Sequence, residues 1–134
     1  MLVADDHPTN RAVIEIILQT VDATSVSVQN GEEALFAFKN DAFDVVLMDL
    51  QMPVMDGLSA IRKIREHECE TARARTPVLA VTANVLSEHV AQSMAAGADR
   101  HIPKPVTAHT LLSAIYEAVD RALKGSEPEA PARP

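Results

Sequence analysis

The stretch that decides the fold is FDVVLMD, residues 43–49. Its apolar middle is short, rich in valine and bounded by polar residues, which is typical of a strand buried on both faces of a parallel sheet. The stretch ends on Asp49, and the turn-forming Met-Pro and Asp-Gly pairs of residues 52–57 follow at once. Because ligands of open α/β sheets bind at the carboxyl ends of strands, Asp49 is predicted to be the reacting group.

Outward from this strand, buried apolar runs and helical patterns alternate along the whole chain. Strands are predicted at residues 1–4, 24–28, 43–49, 77–82 and 99–102, and a helix is predicted after each one. This order is typical of an α/β fold in which helices cover both faces of a parallel sheet through right-handed crossovers. The fold class is therefore predicted to be a doubly wound, five-stranded α/β sheet.

The first helix is predicted to begin at Pro8, whose fixed φ suits the first helical position. The residues with the helical spacing of a buried stripe are Val13, Ile16, Ile17 and Thr20. On this interpretation Ile14 and Leu18 are left out of the core, and we expect them to be available for contact with a partner protein.

The later helices have their own start and stop signals. Asn30 followed by Glu33 predicts a capping box, and Thr107 is predicted to cap the last helix. The third helix is predicted to turn Arg65 toward water and to give way to a loop at residues 66–76. The domain is predicted to span residues 1–123, and residues 124–134, rich in proline, alanine and glutamate, are predicted to form a disordered linker.

The composition limits the kind of protein this is. The 134 residues suit one domain, and 47% hydrophobic residues suffice for a core. The net charge of −7 argues against nucleic-acid binding, and the single Cys69 fits a reducing, cytoplasmic setting. No segment suits a membrane span, so no direct membrane contact is expected. The apolar run at the start of the chain suggests a domain cut from a longer protein that could itself be membrane-tethered.

Polar residues stand where four of the five predicted strands end: Asp5, Asp6, Asp49, Thr82 and Lys104. In a parallel sheet these ends lie on one edge, so the side chains are predicted to meet there. Two carboxylates about 4 Å apart repel by roughly 4 kcal/mol at an effective dielectric near 20, so one lysine does not neutralise the group. The sequence therefore predicts a cation site.

Mg²⁺ is the predicted cofactor, because it prefers oxygen ligands and leaves positions open for water and phosphate. Zn²⁺ is rejected, because no histidine or cysteine stands beside these acids at the spacing of zinc ligands. His7 is interpreted as a residue that starts the first helix rather than as a ligand or base. A carboxylate nucleophile, a metal site, a hydroxyl and a lysine together suit phosphoryl transfer to Asp49.

These motifs, taken together, resemble the response-regulator receiver domain. The motifs are Asp5-Asp6, MDLQMPVMDG at residues 48–57, Thr82-Ala83 and Lys104-Pro105. The resemblance covers about residues 1–123, and DHPTNR at residues 6–11 with LQMP at residues 50–53 is most similar to receivers of hybrid sensor histidine kinases.

The resemblance implies strand order 2-1-3-4-5 and phosphotransfer from a phosphohistidine to Asp49. It implies Mg²⁺ ligation by Asp5, Asp6, Asp49 and the carbonyl of Gln51, with Thr82 as the switch hydroxyl. It also implies that Lys104 precedes a cis proline. The expected partner is a histidine kinase or a histidine-phosphotransfer protein. One position departs from the family, because His101 stands where a tyrosine or phenylalanine is usual. The coupled movement of the switch hydroxyl and that aromatic ring is therefore not implied for this chain.

Other functions remain to be weighed against this one. A degenerate receiver would bind partners without phosphorylation, and the complete set of five polar residues argues against it. An aspartate-nucleophile phosphatase would need a second acid where Gln51 stands. A flavin or nucleotide binder would need a glycine-rich first loop, which this chain with four glycines lacks. The oligomeric state, the signal and the phosphate lifetime are not encoded in any pattern of the sequence.

Overall fold

A computed structural model describes residues 1–50, 52, 54–83, 87–104 and 106–125, with the backbone alone for residues 87–89 and 122–125. The strands are β1 Leu2–Ala4, β2 Val26–Val28, β3 Val46–Asp49, β4 Val78–Thr82 and β5 Arg100–Pro103. The helices are α1 Pro8–Gln19, α2 Gly31–Asn40, α3 Gly57–Glu70, α4 Ser87–Ala96 and α5 Ala108–Gly125.

The five strands form one parallel sheet in the order β2-β1-β3-β4-β5. Strand β1 pairs with both β2 and β3, and β4 joins β3 to β5. Both the doubly wound α/β class and the strand order are therefore confirmed. The order reverses between β1 and β3, so the crevice that such sheets use for ligands lies beside the carboxyl ends of these two strands.

The sheet separates two apolar layers, because successive side chains of a strand point to opposite faces. One layer joins strand residues such as Leu2 and Met48 to the buried residues of α2 and α3, including Phe38 and Ile61. The other layer packs the opposite strand faces against α1 and α5. Strand β3 is buried along its whole length, as its apolar run predicts.

The buried face of α1 differs from the predicted one. Ile14 and Leu18 are 2% and 0% exposed, whereas Val13 and Ile16 are 41% and 62% exposed. The apolar run of residues 13–18 satisfies helical spacing on two overlapping stripes, and Ile17 belongs to both. Periodicity alone does not choose between them. The prediction that Ile14 and Leu18 are free for a partner is wrong, because both fill the core.

Helix α3 is longer than predicted, and it carries a buried charge. It runs to Glu70, so residues 66–70 are helical rather than part of a loop. The side chain of Arg65 is only 14% exposed, and its guanidinium contacts Glu68 at 2.7 Å and Asp99 at 2.8 Å. The prediction that Arg65 faces water is wrong. These groups, with Arg75 bound to Asp99 at 2.9 Å, form the basal ion-pair cluster.

The basal ion-pair cluster joins three segments at the amino ends of β4 and β5. Arg65 donates to the carbonyl oxygens of Thr76 and Gly97, both at 2.9 Å. Glu68 accepts the amide of Thr76 at 2.7 Å, and Asp99 accepts the amide of Val78 at 2.8 Å. The buried charges are therefore hydrogen-bonded as well as paired, which is what burial of a charge requires.

The caps of α2 and α5 agree with the sequence. Asn30 accepts the amide of Glu33 at 2.8 Å, and the carboxylate of Glu33 accepts the amide of Gln29 at 2.9 Å. Thr107 accepts the amide of Thr110 at 3.2 Å. Most of the predicted linker, from residue 126 onward, lies outside the described residues, so the domain boundary stays a prediction. Within the described part of the chain, no helix is long and apolar enough to cross a membrane.

Helix α3 ends in a left-handed residue that is not a glycine. Ala72 has φ 54°, the amide of Arg73 donates to Glu68 and the amide of Ala72 donates to Cys69. This double hydrogen-bond pattern is the Schellman motif, which usually places glycine at the left-handed position. The left-handed conformation costs an L-residue roughly 1–2 kcal/mol, and glycine avoids this cost. Part of the gain is offset, because glycine loses more conformational freedom when the chain folds.

We therefore expect Ala72→Gly to raise the free energy of unfolding by up to about 1 kcal/mol, measured by urea titration. The matched control is Ala91→Gly, which lies at an exposed position inside α4. There glycine is expected to lower stability by about 1 kcal/mol. Equal losses in both variants would contradict the argument.

Candidate functional site

The carboxyl edge of the sheet brings together residues from distant parts of the chain. Asp49 is the last residue of β3, and Thr82 is the last residue of β4. Lys104 directly follows β5, and its amide donates to the carbonyl oxygen of Thr82 at 2.9 Å. Both Asp49 and Thr82 are buried. The predicted convergence of strand ends therefore places these three residues on the same edge of the sheet.

Lys104 joins two buried carboxylates. Its Nζ donates to Oδ2 of Asp49 at 3.0 Å and lies 3.9 Å from Oδ2 of Asp5. Asp49 is 1% exposed and Asp5 is 2% exposed, whereas the lysine side chain reaches solvent. Buried carboxylates need such partners, because an unpaired charge away from water is costly. The charges of Asp5, Asp49 and Lys104 therefore interact directly with one another, unlike separate charges on a surface.

Asp5 is held in place from several directions. Its carboxylate accepts the amide of His7 at 2.8 Å, and its carbonyl oxygen accepts a hydrogen bond from Arg11 at 2.6 Å. Its own amide donates to Val28 on β2. These contacts fix the turn between β1 and α1, so Asp5 and the following Asp6 are both presented at the carboxyl edge.

The side chain of His7 lies close to the acids that it follows in the sequence. Nδ1 of His7 is 2.9 Å from Oδ1 of Asp6 and 3.6 Å from Oδ1 of Asp5. One ligand atom from each of His7, Asp5, Asp6 and Asp49 lies within 4.8 Å of all the others. The prediction that His7 starts the first helix is confirmed, since it is the N-cap residue of α1. The rejection of Zn²⁺, which rests on the spacing of zinc ligands in the sequence, stays a prediction.

A signal for His7 was available in the chain. Pro8 fixes where α1 begins, so the preceding residue must occupy the cap next to the end of β1. A side chain at that position starts from the same turn as the acids. The side chain of His7 makes no capping hydrogen bond to α1, so its ring can turn toward the acids.

The acidic cluster, which we define as Asp5, Asp6 and Asp49, fits a divalent cation. Its three carboxylates and the ammonium of Lys104 leave a net charge of −2. Oδ1 of Asp6 is buried and has no hydrogen-bond partner among the described residues, although His7 is close. A hard cation such as Mg²⁺ binds carboxylate oxygens and would satisfy both the charge and this oxygen.

The loop after Asp49 is pressed against the site. Gly57 donates to Leu50 at 3.2 Å, and a Cβ at Gly57 would lie 2.2 Å from the carbonyl oxygen of Asp49. Gly31, the first residue of α2, donates to Met55 at 3.0 Å, and a Cβ there would lie 2.4 Å from the same carbonyl oxygen of Met55. Contacts this short leave no room for a side chain, so both positions require glycine. We call residues 50–56 the β3–α3 loop, of which residues 51 and 53 lie outside the described part of the chain.

Two of the implied features lie outside the described residues: the carbonyl of Gln51 and the proline that follows Lys104. His101 is half-buried on β5 opposite Ala80, and its switching role stays a prediction. The other predicted site residues are described, and they lie at the carboxyl edge of the sheet: Asp5, Asp6, Asp49, Thr82 and Lys104.

The doubly wound parallel sheet with an acidic cluster and a lysine at its carboxyl edge defines a class of phosphoryl-binding α/β domains. The model of the response regulator receiver domain family matches residues 1–116. The chain therefore belongs to the response regulator receiver domain family.

Curated relatives and solved structures agree with this family. The chain is 33% identical over 129 residues to the sensor protein GacS of Pseudomonas syringae pv. syringae, which covers 96% of this chain but only 14% of that protein's length. The receiver domain of the sensor histidine kinase PA1611 from Pseudomonas aeruginosa PAO1, solved with a magnesium ion coordinated in its active site cleft, is 31% identical with a TM-score of 0.80. That match covers 89% of this chain and 95% of the other.

A third similar structure contains a partner. It is the receiver domain of Ssk1 from Saccharomyces cerevisiae in a co-crystal with the histidine phosphotransfer protein Ypd1. The identity is 26% and the TM-score is 0.86, and the match covers 90% of this chain and 88% of that one.

Proposed function

We propose that this chain is a phospho-accepting receiver of a two-component phosphorelay and that Asp49 accepts the phosphoryl group. The observation that carries the proposal is the buried Asp49 at the end of the central strand, paired at 3.0 Å with Lys104. A carboxylate at a strand end beside an ammonium suits a nucleophile whose product carries the negative charge of an added phosphoryl group. Family membership supports the same function.

In the proposed reaction a carboxylate oxygen of Asp49 forms a bond to phosphorus. The phosphorus–nitrogen bond of the donor phosphohistidine breaks at the same time, and its electron pair stays on the histidine ring. The product is an aspartyl phosphate. Lys104, which bonds Asp49 before the reaction, then contacts a phosphoryl oxygen as a point charge. The hydroxyl of Thr82 donates to another oxygen and couples the phosphate to the end of β4.

Asp5, Asp6 and Asp49 would hold Mg²⁺, together with the carbonyl of Gln51 that the family resemblance implies. Bound Mg²⁺ neutralises charge on the transferring group and orients it. The net charge of −2 at the site supports this assignment. So does Oδ1 of Asp6, which has no hydrogen-bond partner among the described residues although Nδ1 of His7 lies 2.9 Å away. The residues themselves supply the nucleophile, the ammonium and the hydroxyl.

The proposed donor is a histidine kinase or a histidine-phosphotransfer protein. The Ssk1 receiver in its complex with Ypd1 supports this kind of partner, as does similarity to GacS. The chain spans only 14% of the length of GacS. We further propose a receiver domain at residues 1–123 that acts in the cytoplasm without binding nucleic acid, and a linker at residues 124–134.

The proposal is tested by intact mass spectrometry after incubation with Mg²⁺ and a small phosphodonor. The parent chain is expected to gain the mass of one phosphoryl group, and Asp49→Asn is expected to gain none. The matched control is Asp44→Asn, which makes the same chemical change at an exposed residue just before β3 and is expected to behave as the parent.

Two outcomes would contradict the proposal. Equal phosphorylation of the parent and Asp49→Asn would move the acceptor to another residue. No phosphorylation of the folded parent, either by the small donor or by a phosphorylated histidine-phosphotransfer protein, would favour the alternative of a phosphorylation-independent interaction module.

A further inference from the structure

Arg11 holds the peptide bond that joins the first two acids of the acidic cluster. Its side chain reaches back from the first turn of α1, and Nη1 donates to the carbonyl oxygen of Asp5 at 2.6 Å. That oxygen lies in the rigid plane of the peptide between Asp5 and Asp6, so the bond constrains the backbone of both residues. The position of Asp6 therefore depends on Arg11 as well as on the turn itself.

Asp5 has further restraints that act on its own atoms. Its amide donates to Val28 at 3.1 Å, and its carboxylate accepts the amide of His7 at 2.8 Å. The side chain of Asp6 is 29% exposed and lies beside the exposed ring of His7, so it is held less firmly. A hydrogen bond on the peptide between the two acids is thus well placed to fix Asp6 relative to the buried Asp5.

We propose that Arg11 is a positioning residue for phosphoryl acceptance, because it keeps the carboxylates of Asp5 and Asp6 in the arrangement that binds Mg²⁺. The inference rests on the proposed function, since it concerns the same cation. The contact of Arg11 is with a backbone oxygen rather than with a carboxylate, so it acts through the residues that it orients. Removing groups that orient metal ligands typically lowers metal affinity by about 10–100-fold.

The sign of the change in Mg²⁺ affinity separates positioning from a simple effect of charge. Loss of a nearby positive charge alone would tighten Mg²⁺ binding, because like charges repel. Loss of a positioning contact weakens it. Arg11→Met removes the charge and the donor, and it is expected to raise the Mg²⁺ dissociation constant of the unphosphorylated chain by about tenfold. Arg11→Lys keeps the charge and a donor, and it is expected to recover part of the affinity. Isothermal titration calorimetry with Mg²⁺ measures both.

The matched control is Arg73→Met, which removes the same kind of contact far from the acids. Arg73 is half-buried, as Arg11 is, and it donates to the carbonyl oxygens of Phe38, at 2.5 Å, and Asp41. Its loss is expected to lower the urea midpoint and to leave the Mg²⁺ dissociation constant at the parental value. A general loss of stability is thereby distinguished from a loss of positioning.

Phosphorylation by a small donor gives a second measurement. In Arg11→Met the Mg²⁺ concentration for half-maximal rate is expected to rise by the same factor as the dissociation constant. The rate at saturating Mg²⁺ is expected to stay within about twofold of the parental rate, because the variant loses ion binding rather than the nucleophile.

Mg²⁺ binding by Arg11→Met that equals or exceeds parental binding would overturn the inference, and so would an equal loss of affinity in Arg73→Met. The affinity measurements use unphosphorylated chain and do not depend on phosphoryl acceptance. A chain that shows the expected Mg²⁺ affinities but accepts no phosphoryl group would therefore refute the proposed function alone.

Discussion

Arg65→Ala is expected to lower the free energy of unfolding by about 3–5 kcal/mol, because it breaks a buried ion pair by removing one partner. The change leaves Glu68, which is 6% exposed, without its cation. It also removes the donors to the carbonyl oxygens of Thr76 and Gly97. Since domains of this size are stable by only about 5–15 kcal/mol, urea titration will show a large shift of the midpoint.

The matched control for this prediction is Arg62→Ala. Arg62 lies three residues earlier on the same helix and is exposed, so its loss is expected to change stability by no more than about 0.5 kcal/mol. A double variant, Arg65→Met with Glu68→Gln, removes both charges and is expected to recover part of the loss. If Arg65→Ala and Arg62→Ala shift the midpoint equally, the basal ion-pair cluster does not stabilise the fold as described.

Gly57→Ala is expected to cost about 2–3 kcal/mol of stability and to impair phosphoryl acceptance as well. The new Cβ would lie 2.2 Å from the carbonyl oxygen of Asp49 and 2.7 Å from Cα of Leu50. Both are backbone atoms, so no side-chain rotation relieves the overlap. The backbone of Asp49 must move, and this disturbs the 3.0 Å contact between its carboxylate and Lys104.

Gly31→Ala is the comparison that separates the two effects of Gly57→Ala. Its Cβ would lie 2.4 Å from the carbonyl oxygen of Met55, so a similar loss of stability is expected. The overlap is at the far end of the β3–α3 loop, so phosphorylation by a small donor in folded Gly31→Ala is expected to exceed that in folded Gly57→Ala. The argument fails if Gly57→Ala unfolds at the parental midpoint, or if both variants accept phosphate equally well.

Much of the fold was predictable because local signals and burial agree. The strand that ends at Asp49 is apolar up to that residue, and both of its faces are covered in the structure. Pro8 and Asn30 mark helix starts through backbone chemistry that does not depend on the rest of the chain. The alternation of strands and helices then leaves few topologies, so the sheet could be predicted without any tertiary contact.

The errors in the fold have a common physical cause. The predicted buried face of α1 is wrong, because the apolar run at residues 13–18 fits two overlapping helical stripes. Only packing against the sheet selects the stripe that contains Ile14 and Leu18. The sequence predicts Arg65 at the surface and Glu68 in a loop, since charged residues are rarely buried. They are buried here because each satisfies the other, and the third partner, Asp99, is 31 residues away from Glu68 along the chain.

The site was predictable to the extent that it depends on topology. Parallel strands present their carboxyl ends on one edge, so Asp49, Thr82 and Lys104 had to lie on the same edge once the sheet order was known. The contribution of His7 depends instead on a side-chain rotamer at a helix cap, which spacing does not specify. The contact between Gly57 and the carbonyl of Asp49 likewise depends on how tightly one turn closes.

The basal ion-pair cluster also has a consequence for how this domain can be altered. Asp99 and Lys104 stand at opposite ends of β5, five residues or about 16 Å apart in extended chain. Effects of substitutions separated by more than about 10 Å usually add. Variants that weaken the carboxyl edge of the sheet can therefore be rescued by reinforcement at the opposite edge, so that chemistry and robustness can be engineered independently in the same small molecule.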